Sequence, residues 1–200
     1  MRLVAVVIAV VLMFGVLFAA PKVASITFEL GDEQLGQTQV MTYGGAVYIH
    51  PYLRNIGGVG GILQFKLGSK SYDSKTTSGS TTTTSSQGES GFAFDIMAAP
   101  FVSLGKDDGI VYPMFGVSIV NAKDKVESGS TTTEIDYGTG FGFVFGLGGE
   151  VYIMNNICFN AKVVQRLVTG SYEEDYGSYK VETDVPVGGT EASFGFGVAF

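Results

Sequence analysis

The residues best suited to chemistry in this sequence are lone ionisable side chains within otherwise apolar or small-residue segments. Side chains in a β-strand alternate between two faces, and this alternation places the lone charges on the face that carries glycine, alanine and serine. Because a buried charge without a partner is costly, such a set predicts an internal network of ion pairs. The predicted network consists of Glu29, His50, Lys66, Asp95, Glu150, Lys162, Arg166 and Glu191.

One contact of this network is predicted by the spacing around a turn. If Ile153 pairs with Ile157 across a three-residue connection, Glu150 lies opposite Asn160 and diagonal to Lys162. We therefore expect Glu150 and Lys162 to interact.

Catalytic and metal-binding constellations are not predicted. The chain has one histidine, His50, and one cysteine, Cys158, whereas nucleophilic catalysis needs a base within reach of the nucleophile. The shortage of histidine and cysteine also argues against a zinc site. The acidic run at 173–175 is more typical of a solvated loop than of a Ca²⁺ site. We expect no enzymatic activity, no catalytic residues, and no metal or cofactor.

Composition favours β-structure throughout. The chain contains 29 Gly, 15 Phe and 10 Tyr but no Trp, and glycine disfavours helices whereas aromatic residues suit strands. Its formal net charge is −7. Nucleic-acid binding requires clustered Lys and Arg to neutralise phosphates, and we expect none.

Eight alternating segments are predicted to be strands, and the connections between them alternate in length. The strands are expected near 22–30, 40–52, 57–68, 90–104, 110–122, 138–153, 157–169 and 189–200. Long polar connections fill 31–39, 69–89, 123–137 and 170–188, and short ones fill 53–56, 105–109 and 154–156. Short periplasmic turns and long surface loops are typical of outer-membrane barrels. The pattern predicts an all-β, eight-stranded antiparallel up-and-down transmembrane barrel with mobile loops, because polar segments bury little apolar surface.

The large apolar residues decide which face is outside. An eight-stranded barrel has an interior just wide enough for side chains or one small ligand, and twelve phenyl rings on one face would overfill it. We therefore expect this face to contact lipid. Its phenylalanines are Phe28, Phe65, Phe92, Phe94, Phe115, Phe141, Phe143, Phe145, Phe159, Phe194, Phe196 and Phe200.

The C-terminal residues Phe194, Phe196, Val198 and Phe200 alternate up to the last position. This ending resembles the terminal-strand signal of outer-membrane barrels, and the whole mature chain resembles the small barrel families typified by OmpX, the barrel domain of OmpA, and OmpW. The resemblance implies an outer-membrane location, lipid contacts and insertion by the β-barrel assembly machinery. It also implies a porin-like fold exposed at the cell surface.

The first twenty residues predict an export signal. Arg2 precedes an apolar run over 3–18, and Ala19 and Ala20 offer a cleavage point. The predicted domains are a signal peptide at 1–20 and an outer-membrane barrel at 21–200. The alternative is an uncleaved anchor, since the apolar run is nearly long enough to span a membrane.

Two functions remain open from the sequence. The first is a surface-interaction protein, adhesin-like or supporting the envelope, whose loops contact host or surface ligands. The second is a narrow OmpW-like channel for small apolar molecules. The lone charges could gate such a channel or plug the lumen, and the lumen glycines could leave a path or allow close packing, with Tyr112 covering Gly146 or Gly148. We favour the plug and close packing, because small barrels have filled interiors.

Overall fold

A computed structural model describes residues 23–35, 38–51, 57–78, 81–105, 108–128, 131–153, 156–175 and 180–200. Within these ranges the chain forms strands, and no helix there is long and apolar enough to cross a membrane. The predicted signal peptide at 1–20 lies outside the described residues and stays a prediction.

Long strands dominate the described ranges. In chain order they are β1 (Ala24–Leu35), β2 (Thr38–Ile49), β3 (Gly57–Ser78), β4 (Thr81–Leu104), β5 (Gly109–Ser128), β6 (Thr131–Ile153), β7 (Ile157–Asp175), β8 (Lys180–Pro186) and β9 (Thr190–Ala199).

The strands close into a barrel of eight positions. Each strand from β1 to β7 pairs antiparallel with the next, β7 pairs with both β8 and β9, and β9 pairs with β1. β8 and β9 share the eighth position, separated by the break at 187–189. The predicted fold class, an eight-stranded antiparallel barrel, is confirmed.

The register around the last short turn follows the sequence pattern. Ile153 pairs with Ile157, and Glu150 pairs with Asn160. An apolar residue at each end of the turn keeps the apolar faces of β6 and β7 on the same side of the sheet, because a slip of one residue would turn every side chain to the opposite face.

The long connections differ from the prediction of mobile loops. β3 and β4 remain paired from Ser69 with Ser90 out to Ser78 with Thr81, and β5–β6 and β7–β8 likewise extend as paired hairpins. Adding residues to an existing ladder requires no new nucleation, and threonine is a good strand former. The polar composition was therefore a poor guide to backbone conformation.

The aromatic face lies outside the barrel, as the volume argument predicts. Phe141 and Phe143 are each 67% exposed, and Phe194 is 65% exposed. None of the twelve phenylalanines of that face is buried. Phe101 is the contrast, since it is 4% exposed and points into the lumen.

The lumen is filled on its remaining walls by large side chains, among them tyrosines that the alternation predicts to point inward. Tyr48 and Tyr112 pack with rings 5.9 Å apart. Around them lies an apolar cluster from β2 to β7 whose members include Ile62, Met97, Ile110, Met114, Val144 and Val164. The core of this protein therefore lies inside the barrel, beside the charged groups.

Candidate functional site

The eight ionisable residues singled out by the sequence all lie inside the barrel. Their side chains are at most 4% exposed, because each occupies an inward position of its strand or, for His50, follows β2 directly. They form three groups stacked along the barrel, which we call the central, outer and inner groups.

The central group is built around Glu29 on β1. Its carboxylate lies 2.9 Å from Lys66 Nζ and 2.8 Å from Lys162 Nζ. It also accepts hydrogen bonds of 2.5 Å from the Tyr48 hydroxyl and 2.6 Å from the Asn160 amide. With the Thr27 hydroxyl donating at 3.2 Å, Glu29 has two cations and three neutral donors, and a fully buried carboxylate requires such partners.

The outer group is built around Arg166 on β7 and lies towards the β1–β2, β3–β4, β5–β6 and β7–β8 hairpins. The guanidinium lies 2.7 Å from Asp95, 2.8 Å from Glu33 and 2.8 Å from Glu191. Lys66 Nζ, 2.9 Å from Glu191, links this group to the central one. The planar fork of arginine can serve several carboxylates at once, which lysine cannot do with fixed geometry.

The inner group lies at the opposite end, where the short turns and the C-terminal strand end meet. The Ser25 hydroxyl donates to both oxygens of Glu150 at 2.9 and 3.0 Å. His50 Nε2 is 4.0 Å from Glu150 and 3.3 Å from the Tyr152 hydroxyl. The His50 ring also packs against Phe101, with centroids 5.8 Å apart.

Glu150 is not the ion-pair partner of Lys162 in the structure. Lys162 forms its ion pair with Glu29, while Glu150 receives the Ser25 hydroxyl and faces His50. The register was predicted correctly, so the difference arises from barrel closure, which places Glu29 and Lys162 on the two strands that flank β9. β9 pairs with both β1 and β7. The pattern of strands adjacent in the sequence does not predict a contact between β1 and β7.

Glu33 is a member of the network that the sequence did not reveal. It was assigned to the connection 31–39, but β1 continues to Leu35 and places Glu33 inward, 3% exposed, beside Arg166. The sequence contains a signal for this position, because Glu29, Gly31 and Glu33 are spaced two residues apart and therefore share one face of a strand. The polar composition of the segment concealed it.

The lumen holds little free space. Two cavities inside the described barrel have volumes of about 10 Å³ each, which is about the space of one water molecule. Towards the hairpins, Val187 from the β8–β9 break packs with Val120 and Val168 above Arg166. The charged groups and these side chains therefore plug the barrel.

The lumen glycines serve close packing. A Cβ at Gly142 would lie 2.0 Å from the Leu167 carbonyl oxygen, and one at Gly146 would lie 2.2 Å from that of Val163. At Gly148 it would meet the Tyr112 ring at 2.7 Å, and Tyr112 pairs with Gly148 as expected. These glycines permit backbone approach and do not line a path.

Cys158 and His50 both lie near the inner end of the lumen. Cys158 is fully buried and pairs with Tyr152 across β6 and β7. In the described part of the chain, no cluster of three or more His, Cys, Asp or Glu could hold a metal ion.

A closed barrel with an apolar exterior and a charged, filled interior defines the fold class: this is an eight-stranded antiparallel β-barrel, the fold of solved outer-membrane proteins. Solved structures of this class have the same fold. OprG of Pseudomonas aeruginosa aligns with a TM-score of 0.59 and 11% identity, covering 90% of this chain and 97% of that one. Ail, the attachment invasion locus protein of Yersinia pestis, aligns at 0.51 and 12%, covering 90% and 100%.

A third structure with this fold comes from another bacterium. A major outer membrane protein of Thermus thermophilus aligns with a TM-score of 0.51 and 15% identity, covering 88% of this chain and 99% of that one. No family model and no curated protein matches the sequence. At these identities the similarity establishes the fold, and the activity has to be argued from the residues.

Proposed function

We propose that this protein acts at the cell surface through its hairpins, as an adhesin-like or envelope-supporting protein without enzymatic activity. The observation that carries the proposal is the contrast between a plugged lumen and hairpins that extend as ordered strands. A barrel whose described interior is filled by side chains has its accessible polar groups outside. Surface segments held by a rigid scaffold are also where binding residues concentrate.

The surface hairpins are residues 69–90, 123–137 and 170–186. β4 and β5 stay paired to Ser85 and Ser128, so the β3–β4 and β5–β6 hairpins form one four-stranded sheet beyond the apolar belt. A partner would meet a surface whose backbone is already ordered. Preorganisation of this kind lowers the entropic cost of binding.

The test shortens the hairpins while leaving the plug intact. Deleting 71–88 and joining Lys70 to Glu89 with Asn-Gly retains the register, because Lys70 and Glu89 are paired and Asn-Gly favours a two-residue turn. Deleting 173–182 shortens the second hairpin and spares Val187, which is only 3% exposed. Heat-modifiable migration on gels should show that both variants fold.

Bacteria displaying the shortened barrel should adhere less to host-cell monolayers than bacteria displaying the full chain. A matched control scrambles residues 71–88 without changing their composition, and it should also lose adherence if the partner recognises the sequence. Unchanged adherence by cells carrying the folded, shortened barrel would contradict the proposal.

The alternative of a narrow channel for small apolar molecules is less well supported, because the described lumen offers only cavities of about 10 Å³. Planar-bilayer recording should show no steady conductance. Leucine substitution at Gly142 or Gly146 is not a suitable way to block the lumen, because the added Cβ would clash with the backbone of the neighbouring strand. Reproducible single-channel steps from the purified protein would favour the channel.

The C-terminal residues support a proposed partner during assembly, the β-barrel assembly machinery. Phe194 and Phe196 face outward, 65% and 57% exposed, and the Phe200 carbonyl accepts hydrogen bonds from the Val23 and Ala24 amides. The Phe200→Ser variant should be exported normally but inserted poorly, as measured by heat-modifiable protein in membrane fractions. Ala199→Ser is the control for a change at the neighbouring position of the strand end. Normal insertion of Phe200→Ser would show that the Phe200 ring is not part of the assembly signal.

A further inference from the structure

The outward surface carries a groove behind the strands that hold the lumen network, and Glu150, Asn160 and Lys162 of those strands also line it. It crosses β5, β6, β7 and β9 and has a volume of about 720 Å³. Small-molecule sites commonly have volumes of about 300–1,000 Å³. The groove walls are apolar and exposed, formed by Leu147, Val151, Phe159, Val163 and Phe194.

Three small residues on adjacent strands form the floor of the groove. Gly149 on β6 pairs with Ala161 on β7, and Ala192 on β9 lies one row further towards the hairpins, paired with Val163. The same face of these strands otherwise carries large side chains such as Phe145. The surface is therefore recessed here, with walls on both sides.

A polar pair lies just beyond the groove lining, on the side of the hairpins. In the next row towards the hairpins, Gln165 pairs with Thr190, the first residue of β9. The Thr190 hydroxyl donates to Gln165 Oε1 at 2.5 Å, and Gln165 Nε2 donates to the Arg166 carbonyl at 3.3 Å. The amide retains a second N–H, and the hydroxyl oxygen can accept. Both groups lie on the outward face of their strands.

We propose that this groove binds one hydrocarbon chain of an outer-leaflet membrane lipid, with the chain's ester or amide linkage at Gln165 and Thr190. The groove is continuous with the lipid-facing belt, so hydrocarbon is what it meets. Its polar end points towards the hairpin rim, which matches a lipid whose head group lies at that rim. An apolar barrel face of a second copy would leave the polar pair without such a partner.

The shape of the groove is the source of its selectivity for the hydrocarbon chain. Lipid tails and leucine are equally apolar, so association in the membrane depends on packing and hydrogen bonds instead of the hydrophobic effect. A preformed recess lets one chain contact a floor and two walls, which multiplies weak dispersion contacts.

The test compares one substitution at two outward alanines. Ala161→Phe fills the groove floor, whereas Ala98→Phe adds the same ring on β4, outside the groove. The full-length protein is extracted from outer membranes in mild detergent and examined by native mass spectrometry. Wild type and Ala98→Phe should retain one lipid, and Ala161→Phe should retain about tenfold less, the equivalent of one decade in affinity.

A second variant tests the polar pair of Gln165 and Thr190 without changing the groove floor. Gln165→Leu should weaken retention of an ester-linked phospholipid added to the detergent, while leaving binding of a plain alkyl-chain detergent unchanged. Equal lipid retention by Ala161→Phe and Ala98→Phe, or no lipid on wild type, would overturn the proposal. A dimer that only Ala161→Phe dissociates would overturn it in favour of a second copy.

Discussion

The lumen and the surface hairpins are built from the same strands, yet their ion pairs differ in environment. In the lumen, Arg166 and Asp95 meet at 2.7 Å with both side chains fully buried. On a hairpin, Lys123 and Asp136 meet at 2.5 Å with exposed fractions of 40% and 47%. Exposed pairs contribute up to about 1 kcal/mol, whereas breaking a buried one costs about 3–5 kcal/mol.

This comparison shows that distance alone does not rank the contacts of this protein. The lumen charges are fully buried, so removal of one partner leaves another charge unpaired and away from water. The hairpins stay ordered through backbone pairing that continues from the membrane. Substitutions should therefore have large effects inside and small effects outside.

The largest effect is expected from Arg166→Met. Removal of the guanidinium leaves Glu33, Asp95 and Glu191 without their shared cation, and we expect a loss of about 3–5 kcal/mol in the free energy of unfolding. Urea unfolding in lipid vesicles measures it. Lys180→Met, on the exposed β7–β8 hairpin, is the control and should change stability little. Similar values for both variants would erase the contrast between the regions.

A double-mutant cycle should separate the two candidate partners of Lys162. The Lys162→Met and Glu29→Leu changes should show a coupling of about 2 kcal/mol, because these groups are in contact. The cycle with Glu150→Leu should give less than about 0.5 kcal/mol. Urea unfolding of the single and double variants gives both energies. A larger coupling with Glu150 would restore the pairing expected from neighbouring strands.

The boundary between the two regions can be located within the eighth barrel position. Val187→Ala removes two buried methyl groups' worth of contact and should cost about 1.5 kcal/mol, at about 0.8 kcal/mol per buried carbon. Val181→Ala, 37% exposed on β8, should be nearly neutral. Thermal unfolding followed by gel mobility measures both. If Val181→Ala costs as much, the lumen plug extends further outward than the burial indicates.

The smallest effect is expected for the pH dependence of the β5–β6 hairpin. The hydrogen bond from Lys123, helped by the Gly138 amide, lowers the pKa of Asp136 below its ordinary value of 3.8. A carboxylate with a lowered pKa stabilises the folded hairpin above the ordinary value and loses that contribution as pH falls through the folded one. Amide exchange near Gly138 should therefore increase in acid. Asp136→Asn should abolish that pH dependence, and an unchanged acid response would show that another group causes it.

Much of the barrel was predictable because it follows from the alternation of residue types. The twelve outward phenylalanines and the register at Ile153 and Ile157 depend only on period-two patterning and the narrow interior of an eight-stranded barrel. The inward placement of Glu29, Lys66 and Arg166 follows from the same parity. The length of the strands was not predictable, because Ser and Thr occur both in loops and in solvent-exposed β-hairpins.

The sequence by itself determined which side chains point inward and which point outward, because alternation along a strand is a local property. Only the tertiary structure decided the partners: Lys162 with Glu29 instead of Glu150, Glu33 beside Arg166, and Val187 above them. These contacts join segments that are far apart in the chain, and β1 and β7 come together only because both pair with β9. Their distances depend on closure, tilt and the β8–β9 break, and no local pattern encodes them.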